Sequence, residues 1–155
     1  MHIGQGIDSH AFVVGRPLML GGVAIPYARG LAGHSDADAL LHAIIDALLG
    51  AAALGDIGGM FPSSDPQWAN GDSSDLLRKA YERVRAAGHR LTSLDATVVA
   101  QEPKLAPHIG AMREAVAALL NVDLGVVSIK ATTSDGLGFT GRGEGIAALV
   151  VVLLE

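Results

Sequence analysis

Two residues near the start of the chain, Asp8 and His10, stand at i and i+2 inside the apolar-flanked segment 3–10. If that segment is a strand, both side chains leave the same face, roughly 7 Å apart along it. A carboxylate and an imidazole at that spacing can converge on one ion; a surface Asp–His pair fits the spacing equally well. Further on, His34, Asp38, His42 and Asp46 recur every four residues. On one helix they form a single polar stripe. Such a stripe can be a solvated face, but solvated faces usually carry Lys, Glu and Arg, and this segment has none. Histidine with aspartate suits zinc or phosphate chemistry better. Zinc takes imidazole nitrogen and carboxylate oxygen, and three protein ligands leave the fourth position open for a substrate. Asp8, His10 and His42 make such an open set, and Asp46, one turn beyond, is a candidate partner behind it.

Three loops carry the other candidates. Segment 51–59 leaves the helix through Gly55, Gly58 and Gly59, with Asp56 among them, and runs into the Pro-punctuated 61–66 stretch. Segment 100–107 joins a strand to a helix and holds Lys104, which could meet a phosphate as readily as it could sit in a plain connector. Segment 130–145 places five glycines, hydroxyls, Asp135 and Arg142 between two strands. It is not a P-loop, because no helix follows and no Gly-Lys-Ser/Thr occurs.

The elements that must position these residues follow from periodicity. The spacing predicts a strand over 3–10, with Gly4 and Gly6 flattening one face. It predicts a hairpin of 18–20 with 23–25 across Gly21-Gly22. Ser35 is the expected N-cap of the first helix, with Asp38 completing an Asp variant of the capping box. Leu40, Leu41, Ile44, Ile45, Leu48 and Leu49 are that helix's apolar face. A second helix is expected over 74–87, stopped by Gly88, and a third from Pro107 to Asn121. Strands are expected over 92–100, 126–132 and 146–154. The last has no polar face, as in a strand covered on both sides. This order implies an α+β sandwich, a mixed sheet with helices on one face and a neighbouring subunit on the other, plus a small hairpin.

Composition bounds the rest. With 155 residues the chain fits one domain spanning 1–155. Half of it is hydrophobic but only 4% aromatic, so the core is built from Ala, Val, Leu and Ile. A net charge of −5 offers no basic footprint for nucleic acid and obliges any phosphate-rich ligand to bring metal ions or meet helix ends. There are no cysteines, no charged-then-apolar signal pattern and no run near the roughly 20 apolar residues of a membrane helix, so a cytoplasmic protein is expected.

Taken together, these segments resemble the 2-C-methyl-D-erythritol 2,4-cyclodiphosphate synthase family along essentially the whole chain. The matching stretches are Gly-Ile-Asp-Ser-His at 6–10, Gly-His-Ser-Asp-Ala-Asp at 33–38 and the run 42–58. Lys-Ala-Thr-Thr at 130–133 and Leu-Gly-Phe-Thr-Gly-Arg-Gly-Glu-Gly-Ile at 137–146 complete them. The resemblance implies cyclisation of 4-diphosphocytidyl-2-C-methyl-D-erythritol 2-phosphate with release of CMP. It implies zinc on Asp8, His10 and His42, and magnesium or manganese bridging the diphosphate to the carboxylate at position 135, here Asp135. It implies a methylerythritol phosphate pocket from His34, Ser35, Asp56, Ile57, Gly58, Phe61, Ser63 and Asp65, and a cytidine pocket from Ala100, Pro103, Lys104, Leu105, Ala106, Thr132 and Thr133. His34 and Thr133 are its implied transition-state donors. The resemblance also implies a homotrimer with sites between subunits, and Phe139 and Arg142 as substrate-binding residues near the site and near a central cavity that can take isoprenoid diphosphates. Two departures stand out: Asp135 replaces the usual Glu, and Ser63-Ser64 replaces the usual Asp-Thr. A zinc phosphohydrolase and a non-catalytic trimeric isoprenoid-binding protein are the alternatives.

Overall fold

The computed structural model describes residues 1–155. The apolar runs form a five-stranded sheet of order β4-β1-β7-β5-β6. Its strands are β1 (His2–Val13), β4 (Gly30–Leu31), β5 (Leu91–Val99), β6 (Val127–Thr132) and β7 (Gly145–Leu154). The Gly21-Gly22 signal yields the hairpin β2 (Leu18–Leu20) and β3 (Val23–Ile25), with both glycines at positive φ as a two-residue turn of this hand requires. β7 is antiparallel to β1 and to β5, while β5 and β6 run parallel, joined through a helix. The sheet is therefore mixed, and its helices lie on one face, as the α+β reading expects.

Helices α1 (Ala39–Ala51), α3 (Ser73–Ala86) and α4 (Ile109–Leu120) cover that face; α2 (Ile57–Met60) and α5 (Gly138–Gly141) are single turns. No helix is long and apolar enough to cross a membrane. Alternate residues of β7, from Ile146 to Leu154, are buried under the helices in one cluster with all of α1 except His42, Asp46 and Gly50. The intervening residues of β7 and β1 face the other way. There Ile3, Ile7, Leu149 and Val151 remain exposed in this single chain.

Two starts differ from the expected ones. α1 begins at Ala39 and its N-cap is Asp38, not Ser35. The fully buried Asp38 carboxylate accepts from Leu41 N in the first turn and also from Gly21 N and Gly22 N, so it ties the hairpin tip to the helix start. A carboxylate that takes three backbone donors outcompetes a serine hydroxyl for the cap. His34 and Asp38 thus precede the helix, and only His42 and Asp46 of the four-residue stripe stand on it. Likewise Pro107 lies in a 3₁₀ turn over Ala106–His108 that feeds α4. Asn121 ends α4 in the left-handed conformation, and Gly88 follows α3 at positive φ. The 130–145 loop joins β6 to β7 past the intervening β5, and α5 interrupts it with one helical turn.

The contact that sets the sheet–helix distance is made without side chains. A Cβ on Gly6 would sit 1.9 Å from the Ala43 carbonyl oxygen, and one on Gly4 would sit 2.0 Å from that of Ala47. Only glycine admits α1 this close. Gly6→Ala therefore forces strand and helix apart and should cost about 3 kcal/mol or more. Denaturant unfolding measures it, and an unchanged midpoint would refute this account of the packing.

Candidate active site

Past Gly6, β1 continues on the same face to Asp8 and His10, and α1, lying antiparallel across it, presents His42 from its first turn. The three side chains meet. Asp8 Oδ2 is 2.8 Å from His10 Nε2 and 3.2 Å from His42 Nδ1, and the two ring nitrogens are 3.3 Å apart. A tetrahedral ion with ligands at 2.0–2.2 Å needs donor separations of roughly 3.3–3.6 Å. The triangle fits with small outward shifts, and these three are the chain's one group of metal-type donors converging so closely.

The tautomer at His10 is set by its surroundings. Its Nδ1 lies 2.7 Å from the Ala32 carbonyl oxygen, which can only accept, so Nδ1 carries a hydrogen and Nε2 is left for the site. Burial works to raise the Asp8 carboxyl, but hydrogen bonds from His10 and then His42 overcome it and take it down to about 2. Burial likewise opposes charge on His10, and the Asp8 carboxylate outweighs it, lifting the imidazole above its ordinary value. A carboxylate that stays ionised beside two imidazoles is a ready cation site.

Asp46 lies close enough to feel Asp8 and His42 but makes no hydrogen bond to the triad. Its carboxylate accepts from Ile57 N at 2.8 Å and so holds the 56–58 turn against α1. Burial pushes its carboxyl above the usual range despite that bond. The partner of His42 is Ser73, whose Oγ is 2.9 Å from Nε2, with Ser35 Oγ at 3.1 Å. Nothing in the local sequence marks Ser73, which reaches His42 only because α3 packs on α1.

A cleft of about 340 Å³ opens beside the triad, lined by His10, His42, His34, Ser35, Ile57, Gly58, Phe61 and Ser63. Trp68 and Leu76 add walls that the sequence reading missed; Trp68 stacks edge-on against Phe61 at 5.0 Å and takes Lys79 over its ring at 4.7 Å. Asp56 and Asp65 do not line it. They cap α2 and the 66–68 turn by accepting from Gly59 N and Gln67 N. At the start of α1, Leu41 N is taken by Asp38 and is not free for this cleft.

A second cleft, about 640 Å³, lies between the 100–106 loop and the end of β6. Ala100, Pro103, Lys104, Leu105, Ala106, Thr132 and Thr133 line it together with Tyr27. Asp135 sits at its margin with φ +52°, accepting from Thr133 Oγ1 at 3.2 Å, while Gln101 holds Gly136 N. Phe139 and Arg142 line neither cleft; Arg142 forms an exposed pair with Glu144. The two clefts share no lining residue. Strand register nevertheless sets them at one end of the sheet, since His10 pairs with Ile146 and Val99 with Ala147. One chain thus brings together the metal-type triad, His34 and the 57–63 wall, and separately the 100–106 and 132–133 wall.

The YgbB family model matches residues 1–155. The 2-C-methyl-D-erythritol 2,4-cyclodiphosphate synthase of Moorella thermoacetica is 64% identical over 99% of this chain and 94% of that protein. That of Alcanivorax borkumensis is 61% identical over 100% of this chain and 97% of its own length. Among solved structures, a CDP-bound form of 2C-methyl-D-erythritol-2,4-cyclodiphosphate synthase superposes with TM-score 0.91 at 40% identity, covering 99% of both chains. The bifunctional IspDF of Campylobacter jejuni superposes with TM-score 0.95 at 46% identity, over 99% of this chain and 42% of that one. Matched end to end by the family model and by full-length relatives, the chain belongs to the YgbB family, the 2-C-methyl-D-erythritol 2,4-cyclodiphosphate synthases.

Proposed function

We propose that this chain is the cytoplasmic enzyme that cyclises 4-diphosphocytidyl-2-C-methyl-D-erythritol 2-phosphate to 2-C-methyl-D-erythritol 2,4-cyclodiphosphate, releasing CMP, in non-mevalonate isoprenoid precursor biosynthesis. The observation that carries the reading is the convergence of Asp8, His10 and His42 at the mouth of a cleft, in a chain that matches this family over its full length. The 2-phosphate oxygen attacks the β-phosphorus. A new P–O bond forms as the bond to the α-phosphate bridge breaks, and CMP leaves with that electron pair. No protein nucleophile is needed, in keeping with a chain that has no cysteine.

The protein's work is to fold a flexible, highly charged substrate onto itself, which in favourable intramolecular cases supplies about 7–11 kcal/mol. Zinc held by Asp8, His10 and His42, with magnesium or manganese near Asp135, supplies Lewis-acid neutralisation of phosphate charge when bound. His34 and Ser35, with Ile57, Gly58, Phe61 and Ser63, hold the methylerythritol end; Asp56 and Asp65 act through the turns they cap. Ala100, Pro103 to Ala106 and Thr132 take the cytidine end, and Thr133 and His34 donate to the phosphoryl group in transit. That the related solved structure binds CDP supports a nucleotide cleft of this kind. Phosphorus NMR of the reaction separates cyclisation from its hydrolytic alternative, because hydrolysis leaves an open-chain phosphate. An open-chain product would overturn the reading.

The active form in this reading is a homotrimer with the site between subunits. Two observations support it: the exposed apolar face around Ile3, Ile7, Leu149 and Val151, and the division of the candidate residues between two clefts. Covering that face with a second and third copy removes a patch that a monomer would leave in water. A central cavity near Phe139 and Arg142 that takes isoprenoid diphosphates belongs to the same reading.

Three measurements follow. His42→Ala should bind zinc and turn over substrate more than about 100-fold less well while staying folded, since it removes a direct ligand; a zinc-free, fully active variant would refute the metal assignment. Asp135→Asn should lose most activity and Asp135→Glu should keep it, with turnover requiring magnesium or manganese besides zinc. Full turnover on zinc alone, after stripping other ions, would remove the second-ion role. Finally, His42→Ala and a Lys104–Leu105 disruption, each inactive, should regain partial activity when unfolded together and refolded as mixed trimers. Mixed trimers verified by mass spectrometry yet as inactive as either parent would mean that each chain builds its site alone.

A further inference from the structure

His42 turns Nδ1 toward Asp8 and His10, so its Nε2 points back toward the start of α3. A metal on Nδ1 takes that atom's lone pair, and the neutral ring must then carry its hydrogen on Nε2. That N–H has two hydroxyls in reach, Ser73 Oγ at 2.9 Å and Ser35 Oγ at 3.1 Å. They are not equivalent. Ser73 is completely buried, and its own hydroxyl hydrogen goes to Asp36 Oδ1. Asp36 is itself pinned by Ser73 N at 3.1 Å on one oxygen and Asp38 N at 3.2 Å on the other.

A carboxylate at the end of the chain can only accept. Ser73 must therefore donate to Asp36, and its oxygen is left to accept from His42 Nε2–H. The direction of every hydrogen in the line is thereby determined. Ser35 has no such anchor: its Oγ accepts from Ala37 N at 3.2 Å and lies 3.4 Å from Ser73 Oγ, and it borders the cleft, where a substrate can reach it.

We propose that Ser73 and Asp36 are positioning residues that hold His42 in the Nε2–H tautomer and aim its Nδ1 at the metal. This rests on the metal reading above and adds to it the pair that makes the His42 site competent. It also gives the α1–α3 contact a chemical role, because α3 supplies the group that orients a ligand on α1.

The test uses the full chain with zinc alone, titrated against a chromophoric chelator, together with nitrogen NMR of ¹⁵N-histidine protein. In the zinc-loaded parent, His42 should be bound through Nδ1 and carry a slowly exchanging hydrogen on Nε2; the opposite tautomer overturns the proposal without any variant. Ser73→Ala and the isosteric Asp36→Asn should each weaken zinc binding by about 10–100-fold, and Ser73→Ala should lose the protected ring N–H. Ser35→Ala should keep that signal. A merely structural role for Ser73 would lower the unfolding midpoint of the metal-free protein while zinc affinity and the ring N–H stayed as in the parent, and that outcome refutes the proposal. A parent that fails to bind zinc refutes the metal reading itself, which separates the two failures.

Discussion

The reactive end of this protein depends on how closely α1 lies on β1. Two glycines, Gly4 and Gly6, present bare backbone to the carbonyls of Ala43 and Ala47 at distances no side chain would tolerate. The same strand face then changes character two residues on, from no side chain at all to Asp8 and His10. Because the helix has been drawn in, His42 in its first turn reaches both within hydrogen-bond distance. Close packing and ligand convergence are therefore one constraint, and a methyl group in the strand would disturb the site without touching a ligand.

The acidic balance of the chain is managed locally. Asp36, Asp38, Asp46 and Asp56 lie on α1 or in the segments flanking it, and each is committed to backbone donors: Ser73 N, the hairpin glycines with Leu41 N, Ile57 N and Gly59 N respectively. Their negative charge is used up in fixing loops rather than projected into the cleft. Asp8 is the exception, with imidazoles as its hydrogen-bond partners. An acidic protein can in this way offer a cation one point of attachment while no carboxylate lines the cleft beside it.

The sheet divides its labour by face. Even-numbered residues of β7 lie under the helices and hold the core, while Leu149 and Val151 join Ile3 and Ile7 on the open side. The Lys130–Asp95 pair sits on that side too, beyond the apolar stripe. The helices cover one face only and leave an apolar stripe of Ile3, Ile7, Leu149 and Val151 on the other, and the proposed shared site would give a partner on that stripe a catalytic reason.

The sequence by itself determined the element types and the triad. Period-two and period-3.6 patterns place most strands and helices to within a residue or two, because side-chain direction follows local geometry alone; β1 runs three residues past its expected end and α1 starts three residues after its expected start. The i, i+2 spacing of Asp8 and His10 likewise needs only a strand. What tertiary structure decided is where polar side chains spend their hydrogen bonds. Ser35 reads as a helix cap until the hairpin brings Gly21 and Gly22 onto Asp38. Asp46 reads as the support for His42 until the 56–58 turn claims it. Ser73, far along the chain and unmarked by any motif, takes its place. A hydrogen bond is won by whichever donor and acceptor the fold brings into line, and for groups distant in sequence no local pattern records the outcome.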